Sequence, residues 1–451
     1  MQVSEARQDY RNSVSVIVPA YNAASTLSAC LKSAQRAKPL EIILVDDGSS
    51  DETPTIAASF GVKLIRTEGR SGPAAARNLG ARAARGAVLF FVDADVQMYD
   101  GTVDRVWDAF QVDPSLDALI GSYDDSPADP DFLSQYKNLM HCFVHQSAQT
   151  EASTFWSGCG AIRRDLFLAH SGFSSDYGRP AIEDIELGYR LIQARRKIRL
   201  DRELCVKHLK RWTFWGLVKT DILDRGIPWS ELILRDRNMP NDLNLALSQR
   251  VSVALVYLLL AVALAAAIRW HGYILIPGYI GVFLLLSRYW IDESRVRSRS
   301  ATVFMYAILG SIGWLCYRQH MIALIPLTLM SLVLVSVGHR YSLNESRRWI
   351  QTAAGLVWAA SVTCTIVVYL PLHPVFLVLA ILALAIIVLN NQFYVFLAGK
   401  RGRLFALAAV PFHLLYHFYN GISFGVGTIR WIWNSYRRSA VPAWIRIDPR
   451  S

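Results

Sequence analysis

From Trp349 to Gly399 the chain carries no Asp, Glu, Lys or Arg, and Val251 to Ile268 is another uncharged run. Such stretches have few ways to fold. In water they must be buried whole, whereas a helix of about 20 apolar residues crosses a bilayer unaided. Residues 1–250 differ: they carry charge throughout, and beyond Val251 acidic residues almost vanish. The chain therefore reads as a soluble domain large enough for its own core, followed by a membrane domain. The overall charged fraction of 18%, below the quarter typical of soluble domains, reflects the second part.

The apolar half divides into hairpins. Val251–Ile268 and Tyr273–Ser287 flank Arg269-Trp270-His271-Gly272; Ala301–Tyr317 and Met321–Gly338 flank Arg318-Gln319-His320; Pro371-Leu372-His373-Pro374 splits Trp349–Gly399. Six spans result. The connectors with Arg295, Arg297 and Arg299, with Arg340, Arg347 and Arg348, and with Lys400, Arg401 and Arg403 are the basic ones. The positive-inside bias puts them, and the N-terminal domain, on the cytoplasmic side of a multi-pass protein of the cell (inner) membrane. Residues 404–429 are long enough for a seventh span. However, His413, His417 and Asn420 form a polar stripe at helical spacing, and several arginines follow. We expect a helix at the cytoplasmic interface, its stripe and Tyr416 and Tyr419 facing a lipid head group or the catalytic domain. The expected domains are a tail (1–12), the soluble domain (13–225), a linker (226–250), the membrane domain (251–403) and the interfacial helix with its tail (404–451).

The net charge of +11 does not point to nucleic acid, because the basic residues of the second half sit between apolar runs. Six cysteines without a C-x-x-C pair read as reduced thiols. The polar N-terminus shows no signal-peptide pattern, so the first domain is expected to stay where it is made. No Asp, Glu, Lys or Arg lies within the uncharged spans, which disfavours transport.

In the first half, apolar runs alternate with helical patterns: Val14–Pro19, Glu41–Val45, Val62–Ile65 and Ala87–Val92 as strands, Ala23–Arg36 and Ala74–Arg85 as helices. This predicts an α/β domain with a parallel sheet covered on both faces, whose ligands bind off the carboxyl ends of the strands. Three strand ends carry polar residues: Tyr21-Asn22, Asp46-Asp47 and Asp93-Asp95. Asp93 and Asp95 lie two apart and point the same way, with Gln97 continuing the row. They are either capping residues of a solvated loop or ligands of a hard divalent cation that also binds substrate phosphates.

The ordered stretches VSVIVPAYN, VDDGSSDET, GPAAARNLGA, FVDADVQ, SGCGAIRR and EDIELGYR resemble the family 2 glycosyltransferases, inverting enzymes of the GT-A (nucleotide-diphospho-sugar transferase, Rossmann-like) fold, over residues 13–225. The fold class implied is α/β, a GT-A domain followed by an all-α transmembrane domain. The resemblance implies a UDP- or GDP-type sugar donor with Pro19, Ala20, Tyr21 and Asn22 lining the nucleoside pocket. Asp47, with Asp46 behind it, would accept hydrogen bonds from base or ribose, and Arg77, Asn78, Asp93 and Ala94 would approach the nucleotide. Asp93, Asp95 and Gln97 would hold Mg²⁺ or Mn²⁺ that clamps the diphosphate. Asp184 matches the family's catalytic base, with Glu183 orienting it or a sugar hydroxyl. Both would also suit the first turn of a helix as caps. His208-Leu209-Lys210-Arg211-Trp212 has the spacing of the family's Q-x-x-R-W motif with His in first place, which speaks against processivity. His208 would complete the metal shell or serve as a structural imidazole, Arg211 would counter the diphosphate, Trp212 would stack on a sugar, and Gly158 would allow close backbone approach near the substrates. The membrane half makes a lipid or lipid-linked acceptor the expectation. The rival readings are a processive polysaccharide synthase, a nucleotidyltransferase, for which PAYNAAST lacks a Gly-rich phosphate loop, and a non-catalytic nucleotide-binding scaffold.

Overall fold

The computed structural model describes residues 13–269 and 374–440. The N-terminal tail, the returns and connectors expected between residues 270 and 373, and the last residues of the C-terminal tail lie outside them.

The chain divides into two units, Met1–Ala254 with Ile387–Ser451, and Leu255–Ile386. The first is built on an eight-stranded sheet in the order β3-β2-β1-β4-β7-β6-β8-β5. Its opening elements are β1 (Val14–Ala20), α1 (Ala24–Arg36), β2 (Glu41–Asp46), α2 (Thr53–Ser59), β3 (Lys63–Arg66), α3 (Pro73–Ala83) and β4 (Val88–Val92). The pairs β1–β2, β1–β4 and β2–β3 are parallel. These strands are apolar throughout because both faces are covered. Val14, Val16 and Val18 enter one core with Phe90, while Ile17 enters the other with Phe91. Around Phe91 three aromatic rings, Phe155, Phe167 and Phe173, pack at centroid distances of 6.4, 5.2 and 5.1 Å. On that side α3 approaches closely: a Cβ on Gly80 would lie 2.6 Å from Ile17 Cγ2.

The rest of the sheet corrects the expectation of an all-parallel one. β5 (Val96–Met98) and α4 (Thr102–Val112) lead to β6 (Ala118–Tyr123), α5 (Phe132–Ser147), β7 (Cys159–Arg163), α6 (Arg164–Ala169), α7 (Glu183–Gln193) and β8 (Ile198–His208). β7 runs antiparallel to both β4 and β6, and β5 antiparallel to β8, so the sheet is mixed. The chain re-enters the sheet at β7 from the opposite end after α5, an order of insertion that strand composition does not encode. α7 stops at Gln193, and Arg195 beyond it adopts a left-handed conformation (φ 55°).

After β8 the chain continues as three helical pieces: α8 (Phe214–Lys219), a π-helix (Thr220–Gly226) and α9 (Ile227–Asp236). Helix α10 (Leu247–Arg269) contains the 20-residue stretch Leu247–Ala266, long and apolar enough to cross a membrane. α11 (Pro374–Leu389) and α12 (Asn391–Arg401) pass the same test only together. α13 (Arg403–Ala440) follows, with Pro411 inside it.

Within the first unit, α12 and α13 pack on α5. Tyr136, Leu139, Met140, Trp212 and Leu217 share a core with Phe393, Leu397, Tyr416 and Tyr419. The stripe of α13 thus faces the interior of the first unit: His413 and His417 are buried, and the Tyr419 hydroxyl donates to Asp221 at 2.6 Å.

Candidate active site

A crevice of about 720 Å³ lies off the carboxyl ends of β1, β2 and β4. Pro19, Ala20, Tyr21, Asn22, Asp47, Arg77, Asp93, Ala94, Asp95, Glu183 and Arg211 line it, as do Arg70, Leu209 and Lys210. Sequence segments from three strand ends and two later loops therefore meet in one place.

Its centre is an ionic bridge. The Arg77 guanidinium donates to Asp93 Oδ1 at 2.6 Å and to Glu183 Oε1 at 2.8 Å. α3 carries Arg77 to this point, and β4 and α7 deliver the two carboxylates. Burial pushes the Glu183 carboxyl upward, with Arg77 opposing that shift. Glu183 Oε2 also accepts from the Ala181 amide at 3.0 Å. Its neighbour Asp184 turns the other way. Its Oδ2 accepts from both the amide and the hydroxyl of Ser157 at 3.0 Å, outside the crevice lining. The segment carrying Ser157 is fixed against α7, where a Cβ on Gly188 would meet the Phe155 amide nitrogen at 2.2 Å.

The second focus is Asp95. His208 Nε2 stands 3.5 Å from Asp95 Oδ2, and His208 Nδ1 is 2.6 Å from Asn138 Oδ1. An Nδ1–H donated to Asn138 orients the ring with Nε2 toward the carboxylate. Burial alone would raise the Asp95 carboxyl, but His208 and Lys210 outweigh it and hold it at about 2. Tyr123 stacks on the His208 ring at 4.2 Å.

Among the described residues, no group of three or more His, Cys, Asp or Glu side chains is placed to hold a metal ion by itself. Asp95 and His208, with Asp93 alongside, make an open set of oxygen and nitrogen donors. This fits a divalent cation that draws its remaining ligands from substrate phosphate and water. Gln97 does not join them. It sits in β5 opposite Lys207 and away from the crevice lining, because the chain turns at Ala94-Asp95 before β5 begins.

Other expected residues are placed as follows. Tyr21 is exposed at the crevice mouth with the Arg70 guanidinium 4.3 Å from its ring. Asn22, at φ 49°, receives the Ser50 amide on Oδ1 and donates its own amide to Ser49. Asp46 is fully buried and bound by the Ser49 amide and Arg66. Asp47 accepts the amides of Ser71 and Gly72 at 2.7 and 2.8 Å, holding the loop ahead of α3. Asn78 is outside the crevice; its side-chain amide bonds both the amide and the carbonyl of Phe173. Trp212 is buried under α5 rather than open to a sugar, while Arg211 is exposed near Asp129 at 3.7 Å. Gly158 has its own reason for lacking a side chain: a Cβ would strike the Trp156 indole at 2.8 Å.

The residues not anticipated are supporting ones: Asn138 and Tyr123 around His208, Ser157 behind Asp184, and Arg70 over Tyr21. Asn138 lies in FLSQYKNLMHCFVHQS, where Ser134, Gln135, Lys137 and Asn138 are all buried. Consecutive polar residues within an otherwise apolar helix were the one available signal.

Residues 15–170 match the family model "Glycosyl transferase family 2". Glycosyltransferase GlyG of Streptococcus pneumoniae serotype 4 is 32% identical over 117 residues, 24% of this chain and 38% of GlyG. An uncharacterized glycosyltransferase of Haemophilus influenzae is 28% identical over 211 residues, 44% of this chain and 69% of that protein. A mannosyltransferase from Pyrobaculum calidifontis, solved with GDP-Man and Mn²⁺, is 17% identical with a TM-score of 0.36, covering 78% of this chain and 86% of that one; a likeness that loose carries no argument about the site. Residues 15–170 carry the crevice lining from Pro19 to Asp95, so this part of the site lies in the segment similar to family 2 glycosyltransferases.

Proposed function

We propose that this chain is a membrane-bound inverting glycosyltransferase that moves a sugar from a UDP- or GDP-type donor to a lipid-linked acceptor at the cytoplasmic membrane face. The observation that carries the reading is the convergence of Asp93, Asp95, Arg77 and Glu183 at the strand ends, with His208 facing Asp95. Asp93, Asp95 and His208 would hold Mg²⁺ or Mn²⁺, which when bound neutralises charge on the departing diphosphate. Tyr21, exposed at the mouth, offers a flat face for the base. The acceptor oxygen attacks the anomeric carbon as the bond to the diphosphate breaks on the opposite side. In this reading Asp184, bound by Ser157 outside the crevice lining, turns toward the acceptor and takes its proton. An acceptor that is itself a phosphate is already ionised and needs no such base. The apolar stretch of α10, long enough to cross a membrane, supports a lipid-borne acceptor.

The test is calorimetric titration of the full chain with UDP and GDP, with and without Mn²⁺, beside Asp95→Ala. Metal-dependent binding of one nucleotide, lost in the variant, is the expected outcome. No metal-dependent binding of either nucleotide would sink the reading.

A further inference from the structure

A second cavity, of about 350 Å³, lies within the first unit between α5, the π-helix, α9, the first turns of α10 and α13. Three cations line it: Lys137, Arg225 and Arg250. Lys137 is neutralised, since both Asp221 oxygens lie 2.7–2.8 Å from its Nζ. The two arginines are not. Arg225 donates to His141 Nε2 at 3.2 Å, an uncharged acceptor when His141 is neutral, as burial and nearby cations favour. Arg250 reaches Met239 Sδ and Asn241 Oδ1, both at 3.3 Å, and its buried Nε has no partner. Among the described residues no carboxylate is within ion-pair distance of either. Two half-buried guanidiniums without a counter-charge make a site that favours an anion, and their forked donors match phosphate oxygens.

The remaining walls are largely apolar, with Met140, Trp229, Ile233, Val253 and Phe424 interrupted by Ser230, Asn244, Gln249 and Asn420. Val253 lies in α10, within the stretch long and apolar enough to cross a membrane. A free anion would leave those walls in contact with water; an anion carrying a hydrocarbon chain would cover them. We propose that this cavity binds the head of a phospho-amphiphile, a phosphate or diphosphate ester on an apolar chain. Calling that amphiphile the sugar acceptor rests on the function proposed above; the binding itself does not.

The cavity is wired to the catalytic crevice. The π-helix that supplies Asp221 and Arg225 also receives Arg179, from the segment ahead of Glu183, on the Leu223 carbonyl at 3.2 Å and on Asp224 at 3.5 Å. His141, the partner of Arg225, stacks on Tyr123 at 5.9 Å, and Tyr123 stacks on His208. An anion drawing Arg225 away from His141 acts two ring contacts from the residue facing Asp95. A π-helix at such a junction accords with the functional placement of these rare elements.

The experiment is calorimetric titration of the full chain in detergent with farnesyl phosphate, farnesol, dioctanoyl phosphatidic acid and inorganic phosphate. Farnesyl phosphate is expected to bind at least ten-fold more tightly than farnesol or inorganic phosphate. Arg225→Gln and Arg250→Gln are each expected to weaken it ten-fold or more. Val253→Trp, which fills the apolar end and keeps both charges, is expected to abolish binding. A ten-fold preference for farnesyl phosphate over phosphatidic acid assigns the site to an isoprenoid-phosphate acceptor; equal binding assigns it to membrane phospholipid. Farnesol binding as tightly as its phosphate, or affinity unchanged in all three variants, overturns the proposal. Metal-dependent nucleotide binding, measured in the same samples, reports on the fold of each variant. Its absence from the unsubstituted protein would count against the catalytic reading, not against this one.

Discussion

Arg77 shows how one side chain sets the electrostatics of the site. Its guanidinium is almost fully buried and is shared by Asp93 and Glu183. Removing it leaves two carboxylates facing each other with no compensating charge, and breaking a buried pair in this way costs about 3–5 kcal/mol. Arg77→Met is expected to lower the melting temperature at pH 7 and to abolish transfer. The sign of the pH dependence follows from Glu183, whose carboxyl burial already pushes upward. A raised carboxyl favours the folded state when protonated and disfavours it as pH rises through the folded-state pKa. Without Arg77 the shift grows, so the deficit of the variant should shrink as pH falls from 7 to 5. Thermal denaturation of both proteins across that range checks it; a deficit that widens toward acid would refute the assignment of Arg77 as counter-charge.

At the scale of elements, α5 does the most to join the molecule. Its buried polar side chains each find a partner on a different segment. The Ser134 hydroxyl accepts the Trp212 amide, Gln135 Oε1 accepts from Arg401, Lys137 pairs with Asp221, and Asn138 bonds His208. One helix thereby ties α12, the π-helix and the ring facing Asp95 together. Lys137→Met alone strands Asp221 in the interior and is expected to cost about 3–5 kcal/mol. The double variant Lys137→Met/Asp221→Leu removes both charges and should recover most of that loss, since a buried ion pair contributes little over an apolar pair of similar volume. Denaturant unfolding of the two variants separates these outcomes. Equal destabilisation of both would mean that the tie to the π-helix matters beyond its charge.

For the whole molecule, α12 and α13 belong to the first unit, together with the sheet and the crevice. A boundary at residue 225, natural from the pattern of strands and motifs, cuts through the π-helix and removes the cover of an aromatic core. Tyr136, Leu139, Met140, Trp212 and Leu217 are packed against Phe393, Leu397, Tyr416 and Tyr419. A fragment ending at residue 250 exposes that surface, and contiguous apolar patches of this kind promote association. Such a fragment is expected to aggregate or to bind hydrophobic dye, while the full chain in detergent does neither. A monodisperse fragment with an unchanged melting temperature would show that α12 and α13 are dispensable to the unit.

What the residues determine by themselves is local. Apolar runs closed by Pro19, Asp46 and Val92 specify buried strands, and side chains at strand ends converge wherever parallel strands share a sheet. That is why Tyr21, Asn22, Asp47, Asp93 and Asp95 could be expected at one crevice from strand ends alone, whereas Arg77 and Glu183, carried by helices, were joined to them only by the family resemblance; the break in charge near Val251 likewise announced a change of environment. What only the tertiary structure decided depends on direction and on distant partners. The antiparallel insertion of β7, the departure of Gln97 from the aspartates, the burial of Trp212 and the turn of Asp184 toward Ser157 each follow from how remote segments pack. The polar stripe of α13 is the clearest case. Its spacing made it a face, and the Lys137–Asp221 pair beneath it, more than 190 residues away in sequence for Tyr419 and Asp221, made that face an interior one. Periodicity sets which side chains lie together on a helix, but only packing sets what they meet.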